Sequence, residues 1–293
     1  MQRVTIVACL LAVIGCRSED KPKPPPPPID GIELVQPGAE PRRPLRYQLA
    51  AGGTTSLELA MDVDLKTQDM AMKLPTIAMA IDLRVAAVEP TGTAKLEMTV
   101  VGAEARGRGS DPDPTVKILD RQSKLLAGIV VTFGLTPTGQ VKDTKLEASG
   151  RDLSGPMQEQ LATLLQAAEQ LAMALPDKPV GVGAVWKHRR TMKQNQLTLV
   201  TTSLVEIVAL DGDTVTFEST TEMTGADQTL AQGSATMQIT AVRGTGSQTG
   251  NFDLAKAIVL GESKATLGFE MIADDQRRPT KLDLVTRIAP RAP

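Results

Sequence analysis

The chain has 293 residues and a formal net charge of −2, from 32 Lys and Arg against 34 Asp and Glu, and aromatic residues make up only 2% of it. Nucleic-acid binding needs a basic surface and often aromatic side chains on which bases stack. The near balance of charge and the scarcity of aromatics argue against nucleic acid as a partner. Short basic clusters, such as residues 187–190, are predicted to be solvated surface.

An apolar run follows the first three residues. Arg3 is the only charged residue before residues 4–14, and the small Gly15 precedes Cys16. A basic start, a short apolar stretch and a small residue form the layout of an export signal, and the stretch is too short to span a bilayer. Residues 1–15 are therefore predicted to be a signal peptide that is removed.

The residues Val13-Ile14-Gly15-Cys16 resemble the lipobox of bacterial lipoproteins. The resemblance implies lipidation of Cys16 through a diacylglyceryl thioether, cleavage before it, and usually a third acyl chain on the new amino group. Two or three acyl chains would hold the protein permanently on a membrane, because each buried methylene adds about 0.8 kcal/mol. The alternatives are an ordinary secretory signal that ends at Cys16, or a free buried thiol.

Arg17 follows the predicted anchor. In lipoproteins sorted by the enterobacterial rule, an Asp at this position retains the protein in the inner membrane, so Arg17 resembles the outer-membrane class. We therefore expect a lipid-anchored protein of the cell envelope, in the outer membrane, on either its periplasmic or its surface side. The other cysteine, Cys9, lies in the signal, so the mature chain is expected to lack disulfides, thiolate metal sites and cysteine nucleophiles.

Residues 16–43 are rich in proline and charge, with five consecutive prolines at residues 24–28. Such a run favours polyproline II, which extends about 3.1 Å per residue without internal hydrogen bonds. This composition cannot bury a core. The segment is predicted to be a stiff tether, with a ligand for a proline-reading domain as the alternative.

Beyond residue 44 the dominant pattern is strict alternation of apolar and polar residues. Residues 57–65, 77–85 and 96–100 each place their large apolar side chains on one face of an extended strand. Turn sequences separate such runs at residues 90–92, 137–139 and 211–213. The pattern predicts an antiparallel meander with one apolar and one wetted face.

The middle of the chain changes to helical spacing. In residues 154–175, apolar side chains recur every three or four positions, Ser154 can cap the first turn, and Pro176 ends the pattern. Residues 115–126 predict a second, shorter helix. The long helix has a single apolar stripe, which is expected to lie across the apolar face of the sheet.

Alternation resumes at residue 180 and predicts strands near residues 215–223, 235–239, 267–271 and 282–288. A sheet with so many strands curls rather than staying flat. The predicted fold is therefore mainly β (β-rich α+β), with a large, curved, half-barrel-like antiparallel sheet in one domain over residues 44–291.

This arrangement resembles the lipoprotein carrier and receptor proteins of the periplasm and their mycobacterial lipid-handling relatives. In those proteins a hydrophobic cavity between sheet and helices holds acyl chains. Residues 126–133 and 180–186 also resemble an uncharacterised family of bacterial secreted proteins. This chain departs from the carriers in having few aromatics, and no functional residue can be matched individually, so the resemblance implies a carrier role by analogy of fold.

The sequence predicts no catalytic residues, no metal and no cofactor. His188 is the only histidine, and its neighbours Lys187, Arg189 and Arg190 disfavour cation binding. The serines lack a nucleophile-elbow motif, and the paired aspartates lie at predicted turns without calcium-loop spacing. We therefore expect a protein that is not an enzyme.

Methionine takes the place of the missing aromatics, with 12 residues in the chain. Because methionine is flexible and polarizable, a methionine-lined face suits a pocket for acyl chains, and it equally suits a filled core. A copper(I) site at Met70 and Met72 would need a third soft ligand. The candidate apolar pocket comprises Met61, Met79, Met98, Leu161, Leu165, Met237 and Met271.

These patterns together predict a membrane-anchored, non-enzymatic envelope lipoprotein. Its curved sheet would bind an apolar ligand, such as a lipid, or an envelope protein partner. The alternative is a structural or assembly lipoprotein whose core is filled and which takes no small-molecule ligand.

Overall fold

The computed structural model of the chain describes residues 30–109, 114–147, 168, 171–194, 197–232, 235–273 and 276–291. The alternating segments predicted from the sequence form extended strands. The bounds of the elements, in chain order, are β1 (Gly31–Gln36), β2 (Thr54–Thr67), β3 (Ala71–Lys73), β4 (Thr76–Val88), β5 (Ala94–Arg106), α1 (Pro114–Lys124), β6 (Val130–Leu135), β7 (Val141–Glu147), β8 (Val185–Gln194), β9 (Leu197–Asp211), β10 (Thr214–Thr224), β11 (Gln228–Gln232), β12 (Ala235–Asp253), β13 (Lys256–Ala273) and β14 (Gln276–Pro290).

These strands form one antiparallel sheet. Its order is β1-β8-β9-β10-β12-β13-β14-β2-β4-β5-β6-β7, with β3 paired to β2 and β11 paired to β12. The two ends of this order, β1 and β7, are not paired with each other, so the curved sheet stays open. The predicted mainly β fold with a large curved antiparallel sheet is confirmed.

Alternation decides which face of the sheet forms the core. Leu57 and Leu59 on β2 are buried, as are Leu96 and Met98 on β5, whereas their chain neighbours point to the other side. We call the face that carries these buried side chains the inner face. Burial of one large apolar side chain contributes about 1.5–3 kcal/mol. The largest fully buried side chains of this core include Trp186, Phe217 and Phe252.

Two irregular segments, residues 37–50 and 171–180, cover one end of the sheet, which we call the closed end. The Tyr47 hydroxyl accepts a hydrogen bond from the backbone N–H of Met173 (3.0 Å) and donates to its carbonyl (3.3 Å). The Trp186 indole N–H donates to the carbonyl of Ala174 (3.1 Å). Burial raises the pKa of Tyr47 well above its usual range, so the phenol keeps its proton and its role as a donor.

The folded part of the chain begins earlier than the sequence predicts. Gly31–Gln36, assigned above to the tether of residues 16–43, is β1 and pairs with β8. The following residues also join the fold, since Ala39 and Arg43 donate backbone hydrogen bonds to the carbonyls of Val182 and Val180. The physical reason is local alternation in β1, which places Ile32 and Leu34 against the core. Residues 16–29 lie outside the described residues.

The helix predictions have two outcomes. The shorter helix, predicted over residues 115–126, is present as α1 and packs against β5. The longer helix, predicted over residues 154–175, falls largely outside the described residues. Within them, Ala168 is helical but residues 171–175 are not, because they form the irregular segment at the closed end. The helix therefore does not extend to Leu175, and the packing of its apolar stripe on the sheet remains a prediction.

Ion pairs cover much of the outer face. The Asp62 carboxylate accepts hydrogen bonds from Thr76 (2.5 Å) and Arg287 (2.9 Å), and Arg287 also donates to Glu262 (2.9 Å). Partial burial favours the protonated form of Asp62, yet the hydrogen bonds from Thr76 and Arg287 lower the pKa of its carboxyl group overall. The outer face is thus a charged surface. Among the described helices, none has the length and apolar character needed to cross a bilayer.

Candidate functional site

The pairing register aligns inner-face side chains into rows that cross the strands. Antiparallel partners opposite each other project to the same face, so one row can be followed from strand to strand. One such row passes from β2 to β8 through Val63, Leu284, Ala265, Gly246, Thr221, Ser203 and His188. The row is apolar on β2 and β14 and polar from β10 to β8.

The apolar end of this row belongs to a larger surface. Leu57 and Leu59, near the closed end of β2, are buried, but the inner-face residues farther along the same strand are partly exposed. Partly exposed apolar side chains on a concave face are typical of ligand-binding surfaces. We call this surface the apolar wall, and it consists of Met61, Val63 and Leu65 on β2, Leu282 and Leu284 on β14, and Leu267 on β13.

The inner face between the apolar wall and β8 carries short polar side chains. The hydroxyl groups of Ser203 and Thr221 lie 2.7 Å apart, within hydrogen-bonding distance. Thr201 and Ser219 are each 7% exposed. Most of these side chains carry a hydroxyl group, which can both donate and accept a hydrogen bond. We call this surface the polar floor, and it consists of Thr201, Ser203, Ser219, Thr221, Gln248 and Ser263.

Two paired glycines leave part of the inner face on β12 and β13 without side chains. Gly250 and Gly261 are paired across these strands. A Cβ atom on Gly250 would lie 2.1 Å from the carbonyl oxygen of Leu260, and Gly261 has a φ of +147°, which side chains rarely allow. Both positions therefore require glycine, and no side chain protrudes from the inner face there.

A cavity of about 780 Å³ lies at the polar end of the inner face. β1 and β8 form one side of it, with Ile32, Leu34 and His188, and the β6–β7 turn, with Gly139, and residues 172–178 form the other. Small-molecule sites usually enclose about 300–1,000 Å³. The gap between the two ends of the open sheet is therefore large enough for a ligand group.

Alternation on β8 divides the basic cluster at residues 187–190, which the sequence predicts to be solvated throughout. His188 and Arg190 share the inner face with the buried Trp186, whereas Lys187 and Arg189 point outward. Burial, aided by the positive charge of Arg190 and opposed by Asp30, lowers the pKa of His188 from 6.5 to about 4. The imidazole is therefore neutral at pH 7 and has one donor and one acceptor nitrogen.

This shift predicts how stability depends on pH. The unfolded chain binds a proton at His188 near pH 6.5, but the folded chain does so only near pH 4, so the free energy of unfolding should fall as the pH drops through this window. The slope reaches at most about 1.4 kcal/mol per pH unit. His188 is the only histidine, so urea unfolding of His188→Gln should show little slope between about pH 7 and pH 5. An equal slope in wild type and variant would contradict the assignment.

Three of the predicted pocket methionines lie in or beside the main core. Met79 is 5% exposed and Met98 is fully buried, so both side chains fill space within the core. Met61 lies at the edge of this core and contributes to the apolar wall. Of these three residues, the structure leaves only Met61 accessible to a ligand.

The other predicted site residues lie elsewhere. Met237 and Met271 pack in a second, smaller cluster with Ile239, so the structure does not bring them together with Met79 and Met98. Leu161, Leu165 and Cys16 are outside the described residues. The polar floor and the cavity were not predicted. Their only sequence signal is the inward alternation of Ser and Thr on β9 and β10, where polar residues replace the expected apolar ones.

The possible copper site lies on the exposed edge of β2. Met72 on β3 is opposite Leu65, and the side chains of Met70 and Met72 are 48% and 37% exposed. In the part of the chain that the structure describes, no group of three or more His, Cys, Asp or Glu residues is arranged to hold a metal ion. The third soft ligand that copper(I) would need is not identified among the described residues, so we propose no copper site.

Comparison with known proteins adds little to this geometry. No protein-family model and no curated protein matches the chain. Among solved structures, the chain matches a protein of unknown function from the DUF3598 family of Nostoc punctiforme, with 9% identity over 79% of this chain and 95% of that one. The TM-score of 0.14 is too low to support an argument about fold or function.

Proposed function

We propose that this protein is a lipid-anchored lipoprotein of the cell envelope that binds an apolar ligand on the inner face of its open sheet and catalyses no reaction. The observation that carries the proposal is the apolar wall. Its side chains remain partly exposed on the concave side, while the opposite face of the same strands is covered with ion pairs such as Asp62–Arg287. Partly exposed apolar side chains that lie together on one face favour a ligand or partner that covers them.

Cys16 would hold the domain on the membrane, in the outer membrane if Arg17 acts as the sorting residue. Residues 16–29 precede the described fold, and as polyproline II they would span about 43 Å at 3.1 Å per residue. That length would let the open sheet reach a ligand or partner away from the membrane surface. The function requires no cofactor and no nucleic acid.

The second candidate is a structural or assembly lipoprotein without a small-molecule ligand. The burial of Met79 and Met98 favours it, because the closed end of the sheet has a filled core. The two candidates differ at the apolar wall, which must bind a ligand in the first and has no such role in the second.

Binding of the uncharged probe N-phenylnaphthylamine to the chain from Arg17 tests the proposal. We expect saturable fluorescence enhancement in the wild type. Leu284→Gln should weaken it by about tenfold, because a polar amide replaces an apolar contact worth about 1.4 kcal/mol. Val285→Gln is the matched control, since the next residue of β14 points to the outer face. Absence of saturable binding, or equal loss in the two variants at equal thermal stability, would refute the proposal.

A further inference from the structure

One row of the inner face, on the side away from the closed end, is apolar where it crosses neighbouring strands. The pairing register places Leu65 of β2 opposite Leu282 of β14, and Leu282 opposite Leu267 of β13. Leu65 is also opposite Met72 of the edge strand β3, whose side chain is 37% exposed. Because directly opposite partners project to one face, these side chains form a single line across the strands.

The row continues over a glycine to β10. Gly244 of β12 is opposite both Leu267 and Met223. A Cβ atom on Gly244 would lie 3.0 Å from Cδ1 of Leu267 and 3.1 Å from Cε of Met223, so these two side chains approach each other over the glycine. The row ends there, since the next residue is Thr201 of the polar floor. We call this row the apolar track, and it consists of Met72, Leu65, Leu282, Leu267 and Met223.

The apolar track joins two apolar regions and is long. Leu267 belongs to the apolar wall and also packs against the second cluster, in which Ile239 and Val242 are buried. The track crosses the strands in the order β3-β2-β14-β13-β12-β10. Adjacent strands are about 4.8 Å apart, so the track extends about 24 Å along the sheet. It therefore suits an extended hydrocarbon chain, and such a chain lies beside the polar floor without crossing it.

The described inner-face positions around the track carry no charged residue. Ion pairs such as Arg287–Glu262 lie on the outer face of the same strands. A charged group placed on the track would lose its hydration without gaining a charged partner. The uncharged positions are every second residue of 61–67 on β2, 280–288 on β14, 259–271 on β13, 244–252 on β12 and 215–223 on β10.

We infer that the ligand is an uncharged lipid whose long hydrocarbon chain lies across the strands along the apolar track. This inference rests on the proposed function and adds the class of the ligand and the direction of its chain. A long-chain alcohol belongs to this class. The polar floor borders the track near Met223, where the hydroxyl groups of Ser203 and Thr221 can donate to or accept from an uncharged polar group.

Displacement of N-phenylnaphthylamine from the chain from Arg17 tests the class of the ligand. The competitors are eicosanol and ionised eicosanoate, which have equal chain lengths, and the shorter dodecanol. We expect eicosanol to bind about tenfold more tightly than eicosanoate, because the carboxylate would have no charged partner on the track. Eicosanol should also bind more tightly than dodecanol, since each further buried methylene raises the affinity about fourfold.

Variants at the two ends of the track test the direction of the chain. Met72→Gln and Met223→Gln should each weaken eicosanol binding about fivefold, because a polar amide replaces an apolar contact at each end. Ala71→Gln and Thr224→Gln are the matched controls, since they place the same amide on the outer face of the same strands. All four variants are compared at equal thermal stability.

The outcomes separate this inference from the proposed function. Equal or tighter binding of the acid would overturn the uncharged ligand while leaving apolar binding intact. Weaker eicosanol binding in only one of the two end variants would overturn the direction across the strands. A wild-type dimer in sedimentation that Met223→Gln dissociates would show that a second copy covers the track and would overturn the lipid. Failure of N-phenylnaphthylamine and every competitor to bind folded wild-type protein would refute the proposed function itself.

Discussion

Replacing Met98 by Glu is expected to prevent the domain from folding. Met98 is fully buried in the main core, between its cross-strand partners Leu83 on β4 and Val131 on β6. A carboxylate there has no partner, and an unpaired buried charge costs about 3–5 kcal/mol. That is a large part of the 5–15 kcal/mol that stabilises a typical domain. Circular dichroism and urea unfolding should show loss of the cooperative transition.

Met98→Leu is the control for this variant, because it conserves apolar character and approximate volume and should cost less than about 1.5 kcal/mol. A folded Met98→Glu variant with wild-type stability would mean that the alternating residues of β5 do not face the interior. In that case the register of the sheet would be wrong by one residue, since such a shift exchanges the two faces of a strand.

Replacing Cys16 by Ala is expected to move the protein from the membrane to the soluble fraction, or to leave an uncleaved precursor. The predicted lipobox places the acyl chains on this thiol, and without it the mature chain would have none. Detergent partitioning and the mass of the mature protein measure the effect. The change should be nearly complete, because two or three acyl chains make membrane attachment effectively permanent.

Cys9→Ala provides the matched control, since it removes the other cysteine from within the predicted signal and should leave partitioning unchanged. Membrane attachment of Cys16→Ala at the wild-type level would contradict lipidation at this residue. The protein would then be held in the envelope by another means, and the binding proposal for the sheet would stand on its own.

Local alternation explains why most strands could be predicted. Residues 57–65, 77–85 and 96–100 fall within β2, β4 and β5. They could be predicted because each strand's own sequence alternates apolar and polar side chains. β1 was missed because only Ile32 and Leu34 show its alternation, and proline-rich sequence surrounds it. The end of the long helix was predicted wrongly for a different reason. Residues 171–175 keep the apolar spacing of a helix, but their backbone groups form hydrogen bonds with other segments at the closed end.

The candidate site depends on pairing between distant parts of the chain, which a single sequence does not reveal. The apolar wall exists because β14 pairs with β2, and one side of the cavity exists because β1 pairs with β8. Sequence alternation correctly placed Met61 and Met98 on one face. Only the register distinguishes them, since it puts Met98 inside the filled core and Met61 at its open edge.

Organic extraction and mass spectrometry of the chain from Arg17, purified from an exported form, test the central claim most directly. We expect an apolar ligand in near-stoichiometric amount from the wild type and from Val285→Gln, and a strongly reduced amount from Leu284→Gln. A folded wild-type protein that yields no apolar ligand would contradict ligand binding on the inner face and would favour the structural alternative.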